Sequence, residues 1–331
     1  MFHLSPLRLG TLALLFAGAL FSAFASGYAG LEILTEILIL AILVIALDMV
    51  AGFGGMVSLC HGALMGAGAY AFAMAGMSLG LPVWAAMLFA VLFTGAVGWI
   101  IGAICAGSHG IYFIMVTLAF GQMGYALVFE SPFFGGDDGL AGLARPDLSA
   151  LGIDLNRSRA FALYCLAALV LVALAAAQIL RSGLGRALVG IRDNERRMRA
   201  LGLTVWRTKA HLFGLSGMIA GLAGVLAAQH VMYISPGLMA WTVSGEALVV
   251  VILGGLGTFV GPILGAAAFV VLRHEIGALT PYWHLVVGLI LIAVVMSRAN
   301  GLFGFVEGRL ARLAARRTAK ADAPHREPRD A

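Results

Sequence analysis

The sequence predicts an all-α polytopic membrane protein with about eight transmembrane helices and a Gly-rich re-entrant pair. Of its 331 residues, 61% are hydrophobic and only 11% are charged, and the mean hydropathy is +0.99. A soluble domain carries about 25% charged residues. The 44 glycines suit helices that pack closely in lipid.

The predicted spans are apolar runs close to the ~20 residues that cross the hydrocarbon core. They cover 9–26, 31–50, 57–79, 83–105, 110–129, 160–180, 210–230 and 281–297. Region 245–273 differs, because the sequence GGLGTFVGP at 254–262 splits it into the runs 246–253 and 262–272. Each run crosses about half a bilayer at ~1.5 Å per residue. We therefore predict a re-entrant pair, which is tolerated where it is buried in protein or lines a cavity.

The distribution of basic residues predicts the orientation of the chain. Loop 181–209 carries eight of the 21 Lys and Arg residues, and the tail from Arg298 carries eight more. The positive-inside rule places both in the cytoplasm. Counting spans back from this loop places loop 130–159, with three Arg and five acidic residues, outside and the N-terminus inside. We predict a transmembrane domain over 1–305 and a basic, disordered cytoplasmic tail over 306–331.

The N-terminal segment allows two interpretations. Arg8, the apolar run 9–22 and the sequence Ala23-Phe24-Ala25 resemble a signal peptide with its cleavage site. An uncleaved first span is favoured, because further spans follow at once. Both interpretations leave the later topology unchanged.

Missing motifs exclude several classes of protein. The chain has two lysines, Lys209 and Lys320, and neither follows Gly, so it contains no phosphate-binding loop of the GK[ST] type. It has no HExxH or GxSxG motif, and the scattered Cys60, Cys105 and Cys165 form neither a disulfide framework nor a metal site. We therefore predict that the chain is not an enzyme and holds no cofactor. Its net positive charge follows from the membrane orientation and predicts no nucleic-acid partner.

Loop 181–209 predicts a short amphipathic helix. Projected at about 100° per residue, its apolar side chains share one arc: Ala187, Leu188, Ile191, Met198 and Leu201. Glu195 lies inside this arc, and Gly185 and Gly202 bracket the helix. Basic residues flank the arc: Arg192, Arg196 and Arg199. The helix either lies on anionic headgroups or docks into the groove of a partner protein, and Glu195 argues against simple burial in the membrane.

Two acidic residues stand in or beside apolar runs, where ionisable groups are functional by default. Asp48 is a candidate for the transport path, and its alternative role is to face water or to cap the Gly-rich segment that follows. Glu246 opens the first run of the re-entrant pair. It either caps that helix or faces the path.

Other polar residues of the spans are candidates for the same path. Ser58 and His61 begin a Gly-rich span, where His61 is either a hydrogen-bonded packing residue or a ligand. Thr117 and Gln122 share a span with two glycines, which also suits hydrogen bonding between helices. The sequence leaves both alternatives open at each position.

The Gly-rich segments are the last candidates. Gly54-Gly55-x-x-Ser58 and Gly254-Gly255-x-x-Thr258 share their spacing, and Gly-interrupted segments in corresponding halves indicate a transport path. Gly254, Gly255 and Gly257 would expose backbone N–H groups that suit a carboxylate. The alternative is a tight helical hairpin that contacts no solute.

Five collinear blocks within residues 45–300 resemble the branched-chain amino acid ABC transporter permeases of the LivM type. The blocks are GFGGMVSLCH at 52–61, GIYFIMVTLAF at 110–120, GGDDGL at 135–140, LGGLGT at 253–258 with the following GP, and GRALVGIRDNERRMRALGLTVWRTK at 185–209. Each block is weak alone, and together they are specific.

The resemblance implies a subunit of a bacterial inner-membrane importer. Its expected partners are a second homologous permease, two ATP-binding cassette subunits that hold ATP and Mg²⁺, and a periplasmic substrate-binding protein. The coupling loop would include Gly185, Arg186, Arg192, Asp193, Asn194, Glu195 and Gly202. The chain departs from the family at Arg196, Arg197 and Arg199, at Cys60 and at Asp48, which affects the choice of ATPase and of solute.

The sequence therefore predicts a permease for branched-chain amino acids or a related small polar solute. One alternative is an importer of urea or short amides. A different class is a stand-alone secondary transporter that uses Asp48 and Glu246 as proton or cation sites.

Overall fold

The fold is helical throughout, which confirms the predicted all-α membrane class. The computed structural model describes residues 6–147, 154–296 and 301–304, so the predicted tail 306–331 lies outside the described residues. The helices are α1 Pro6–Ala25, α2 Tyr28–Asp48, α3 His61–Met77, α4 Val83–Cys105, α5 Ile111–Glu130, α6 Ser158–Arg181, α7 Gly183–Ala200, α8 Val205–Val231, α9 Trp241–Gly254, α10 Gly261–Leu279 and α11 Trp283–Met296. Two short strands, β1 Leu140–Ala141 and β2 Tyr233–Ile234, pair antiparallel.

Each predicted span coincides with a helix. Six helical segments of the described chain are long and apolar enough to cross a membrane: Tyr28–Phe53, Val83–Cys105, Ile111–Glu130, Ser158–Arg181, Val205–Val231 and Gly261–Leu279. Four further helical segments are shorter, at 14 to 17 residues. They are the apolar part of α1 and the whole of α3, α9 and α11. The chain is thus a multi-pass membrane protein.

The predicted re-entrant pair corresponds to α9 and α10, but α10 is longer than its apolar run indicated. The run was expected to end at residue 272, whereas α10 continues to Leu279 and is long enough to cross a bilayer. Its polar end is stabilised by α2, because the Arg273 guanidinium and the His274 ring both pair with the Glu36 carboxylate. The apolar pattern alone therefore underestimated the length of α10.

Glycines set the close packing of α3 and α4 against α8. A Cβ added to Gly68 would lie 2.5 Å from the Gly221 Cα, and one added to Gly98 would lie 3.3 Å from the Gly217 Cα. Backbones approach this closely only where no side chain intervenes, which is how helices associate in lipid. The three helices therefore form one tightly packed unit.

The helical layer has two opposite faces, and the long helices α6 and α8 run from one face to the other. We call the end where α6 leads into α7 and α7 into α8 the α7 face, and the opposite end the β1–β2 face. On the β1–β2 face, the Arg145 guanidinium donates hydrogen bonds to three carbonyl oxygens, those of Gln229 at 2.8 Å, His230 at 2.9 Å and Leu155 at 2.9 Å. Arg145 thereby fastens the connection between α5 and α6 to the end of α8.

Candidate functional site

The helix α7 contains a break at Asn194, where the backbone has φ −158° and ψ 93°. The first segment buries Leu188 and Ile191, as the sequence predicted. The expectation of one continuous amphipathic arc is wrong, because the backbone is not helical at Asn194 and the two segments have different directions. Beyond the break, Leu201 is 69% exposed. The side chain of Asn194 accepts a hydrogen bond from the Arg197 N–H at 2.9 Å, so it caps the second segment in the manner of an N-cap residue.

Of the two glycines predicted to bracket the helix, only Gly202 lies outside it, because α7 already begins at Gly183. Gly185 is buried in the first turn of α7, against the end of α6. Gly202 follows the last turn with a φ of 85°, a left-handed conformation that ends a helix readily when the residue is Gly. The exposed residues of the loop include Arg186 and Asp193.

Glu195 is the centre of an ion cluster that joins three parts of the chain. Its carboxylate lies 2.8 Å from the Lys209 Nζ of α8 and 2.8 Å from the His109 Nε2 in the α4–α5 connection, and it also pairs with Arg199. Lys209 is only 4% exposed and also donates to the Ala106 carbonyl oxygen at 3.2 Å. The cluster therefore fixes the second segment of α7 on α8 and on the α4–α5 connection.

Sequence reasoning missed the two distant partners among the three of Glu195. Lys209 and His109 are separated from Glu195 by 14 and 86 positions, so no local pattern joined them. One signal was present, because a Lys that begins an apolar helix must find a partner when it is buried.

The same cluster controls the ionisation of Glu195. Burial raises the pKa of Glu195, but hydrogen bonds from Lys209 and His109 outweigh burial and hold this pKa at about 2, compared with 4.5 for an ordinary Glu. A carboxyl whose pKa is depressed on folding contributes stability above its unfolded pKa. This contribution is lost as the pH falls through the folded value.

We therefore expect α7 to stay docked above pH 4.5 and to loosen as the pH falls toward about 2. A spin label at Arg197→Cys would report the motion, since the native cysteines of the described chain are buried. In a Glu195→Gln background the label should lose this pH dependence. Equal acid responses in both backgrounds would contradict the assignment to Glu195.

Arg192 connects α7 to the Gly-rich segments inside the helical layer. Its guanidinium Nη1 donates to the Gly52 carbonyl oxygen, and its aliphatic stem lies over Gly55, 3.0 Å from where a Cβ would be. The same Nη1 lies 3.5 Å from the Cβ position of Gly257. One side chain of α7 thus touches both of the segments that the sequence singled out.

The two Gly-rich segments lie against each other. A Cβ added to Gly52 would lie 2.5 Å from the Gly257 backbone nitrogen. From α2, the buried Asp48 carboxylate accepts hydrogen bonds from the Gly257 N–H at 2.6 Å and from the Phe259 N–H at 3.4 Å. The turn at Gly257 was predicted to bind a carboxylate, and the carboxylate that it binds is the side chain of Asp48. Asp48 therefore binds the second Gly-rich segment, although the first segment is the one that follows it in the sequence.

The shared spacing of the two segments corresponds to a shared structure. Gly55 and Gly255 occupy the same motif position, and both have a positive φ, of 68° and 120°. Ser58 Oγ accepts the Cys60 N–H at 3.3 Å before α3, and Thr258 Oγ1 accepts the Gly261 N–H at 3.0 Å before α10. Each motif therefore lies between two helices and forms a turn that the hydroxyl of Ser58 or Thr258 stabilises.

The predicted path residues Ser58 and His61 belong to a buried hydrogen-bond chain. Ser216 Oγ donates to the Ala46 carbonyl oxygen at 2.6 Å, so His61 Nε2, at 2.8 Å, is the donor to this hydroxyl. His61 Nδ1 then accepts from Ser58 Oγ at 3.3 Å. The geometry is that of a packing histidine which joins α3 to α8.

The remaining path candidates are Thr117 and Gln122 on α5 and Glu246 on α9. Thr117 is fully buried and accepts the Leu59 N–H at 3.3 Å, which places it beside the Ser58 segment. Among the described residues, Gln122 Nε2 is buried without a hydrogen-bond partner. Glu246 is half-buried on α9, and no hydrogen bond of the described chain joins it or Gln122 to the His61 chain.

The match to a family model decides the class of the protein. Residues 30–295 match the model described as branched-chain amino acid transport system, permease component. The chain belongs to this permease family. It is a permease subunit of an ABC importer, and the matched region includes α7 and both Gly-rich segments.

Two relatives of this permease have a known function. Both are high-affinity branched-chain amino acid transport system permease proteins LivM, one from Salmonella typhimurium and one from Escherichia coli. Each is 31% identical to this permease over 82% of its chain and 69% of the relative. No solved structure matches the chain.

Proposed function

We propose that this permease subunit conducts branched-chain amino acids, or a related small polar solute, into the cell without changing them chemically. The observation that carries the proposal is the arrangement of α7, an exposed polar helix whose Arg192 reaches the Gly-rich segments of the helical layer. Since neither lysine of the chain follows Gly, ATP and Mg²⁺ would be held by partner subunits. The chain itself would be no enzyme and would hold no cofactor.

The two faces differ in charge, which sets the proposed orientation of the chain in the membrane. The α7 face exposes arginines: Arg186, Arg196 and Arg199. The β1–β2 face exposes acidic residues: Asp137, Asp138 and Asp154. The positive-inside rule then puts α7 and both termini in the cytoplasm of a bacterial cell with an inner membrane. Two ATP-binding subunits would dock on α7, a periplasmic binding protein on the β1–β2 face, and a second homologous permease within the bilayer.

The proposed solute is that of the two LivM relatives, whose names specify branched-chain amino acids. Urea and short amides are the alternative solutes for the same machinery. A stand-alone secondary transporter is disfavoured by Asp48, because two backbone N–H groups already bind this carboxylate. Of the two acids that the sequence offers for a proton or cation site, Glu246 is the one without such backbone donors among the hydrogen bonds of the described chain, and it is half-buried.

We expect two ATPases and a second permease to co-purify with the tagged chain, and Asp193→Arg to remove the ATPases. Asp193 is exposed on α7, whereas Glu195 faces inward and its replacement would also displace the helix. Mass spectrometry of membranes solubilised in mild detergent would measure both outcomes. Asp137→Arg makes the same charge change on the opposite face and should retain the ATPases.

A wild-type chain that purifies alone and supports solute uptake in vesicles without ATP would overturn the proposal that this protein belongs to an ATP-driven importer. Glu246→Gln would then be the first variant to examine, since a secondary transporter would need that carboxyl.

A further inference from the structure

The contact between the two Gly-rich segments has the properties of a joint. We name it the double-Gly joint and define it as residues 52–57 together with residues 254–260. Each segment connects two helices, and each has a glycine with positive φ at its turn. Backbone touches backbone between Gly52 and Gly257, so neither segment can move far without the other.

Two further features mark the joint as functional rather than merely compact. The helix preceding the first segment ends in a π-helical turn, Met49–Phe53, a rare form that is frequent at functional sites. In the second segment Phe259 has a φ of 68°, a strained conformation for a residue other than Gly. Strain of this kind persists only where the surroundings impose it.

Asp48 and Arg192 hold the joint from opposite sides. Asp48 lies within the helical layer and accepts the N–H groups of Gly257 and Phe259. Arg192 reaches in from α7 and donates to the Gly52 carbonyl oxygen. The first contact ties the second segment to α2, and the second contact ties the first segment to α7.

We propose that the double-Gly joint closes the α7 end of the transport path and that Arg192 and Asp48 are positioning residues that make it follow α7. The inference rests on the proposed import function and deepens it. When α7 shifts, Arg192 draws the Gly52 carbonyl with it, and the backbone contact with Gly257 passes the displacement to the α9–α10 turn. Asp48 keeps that turn in register with α2 during the movement.

The ion cluster gives α7 the rigidity that such a link needs. Glu195, three residues beyond Arg192, is fixed to Lys209 at the beginning of α8. A displacement of α7 would therefore be passed through Arg192 to the joint and would not unfold the end of the helix. Arg192 and Glu195 stand on either side of the break at Asn194, so the break sets their directions independently.

The test measures solute imported per ATP hydrolysed by the complete transporter in proteoliposomes. Arg192→Met keeps the apolar stem but removes the donor, and we expect this ratio to fall about tenfold, the factor that matches the loss of one charge-assisted hydrogen bond. Arg192→Lys keeps a donor and should recover part of the ratio. Arg207→Met makes the same change at an exposed residue of the α7 face and should leave the ratio unchanged.

A second readout follows the joint directly. Leu256 lies between two glycines of the turn and is 43% exposed, so a cysteine at this position is open to thiol reagents. We expect ATP to change the labelling rate of Leu256→Cys severalfold, and Arg192→Met or Asp48→Asn to abolish this change. A purely structural role would lower the amount of assembled complex and leave the ATP response of the assembled fraction intact.

The proposal is overturned if Arg192→Met imports as much solute per ATP as Arg207→Met does. It is also overturned if ATP alters Leu256→Cys labelling equally with and without Arg192. Failure of the import function looks different, because wild-type proteoliposomes would then show no ATP-dependent uptake at all.

Discussion

Replacing Glu195 by Leu is expected to destabilise the docked state of α7 by about 3 kcal/mol or more. The variant leaves the Lys209 ammonium, which is 4% exposed, without its acidic partner. Removal of one member of a buried ion pair costs far more than the pair contributes, because the remaining charge stays desolvated. The apparent Tm of the chain in nanodiscs should therefore fall.

The decisive control is the double variant Glu195→Leu with Lys209→Met. It removes both charges and should recover most of the lost stability, since apolar pairs replace buried ion pairs at little cost. Arg199→Leu removes a partner that is 59% exposed and should cost at most about 1 kcal/mol. If Glu195→Leu lowered the apparent Tm no more than Arg199→Leu does, the cluster would not be what holds α7.

The sequence predicted α7 in its extent but not in its geometry. Its polar composition and its bracketing glycines located the helix, and Leu188 and Ile191 are buried as their spacing required. The break at Asn194 escaped prediction, because a projection at constant period assumes an unbroken helix. Once the axis turns there, Glu195 points toward α8, where the partner Lys209 lies in the folded protein.

The Gly-rich segments show the same division between local and tertiary information. Their shared spacing predicted two turns of one kind. The positive φ values of Gly55 and Gly255 agree with this prediction, as do the hydrogen bonds that the hydroxyls of Ser58 and Thr258 accept within the turns. That Asp48 of α2 would bind the N–H groups of the second segment depends on contacts over 209 and 211 positions. A single sequence holds no record of such contacts.

Gly224→Ala is expected to separate α3 from α8 and to abolish uptake. The added methyl group would overlap the Met65 carbonyl oxygen and lie 2.7 Å from the Met65 carbonyl carbon and 3.1 Å from the Ala69 nitrogen. All three atoms belong to the backbone of α3, so no side chain can rotate away. Overpacking costs about 1–3 kcal/mol where side chains yield, and more is expected where they cannot.

The sign of the change makes this test sharp. In an open helix Gly→Ala stabilises by about 1 kcal/mol, because Ala loses less backbone freedom on folding. Gly76→Ala provides that reference, since it lies on α3 and its added methyl group would meet nothing within 4 Å. We therefore expect the apparent Tm to rise or stay unchanged for Gly76→Ala and to fall for Gly224→Ala. A rise in the apparent Tm of both variants would mean that α3 and α8 are free to separate. The hydrogen bond between His61 and Ser216 would then not be enough to fix the beginning of α3 beside the double-Gly joint.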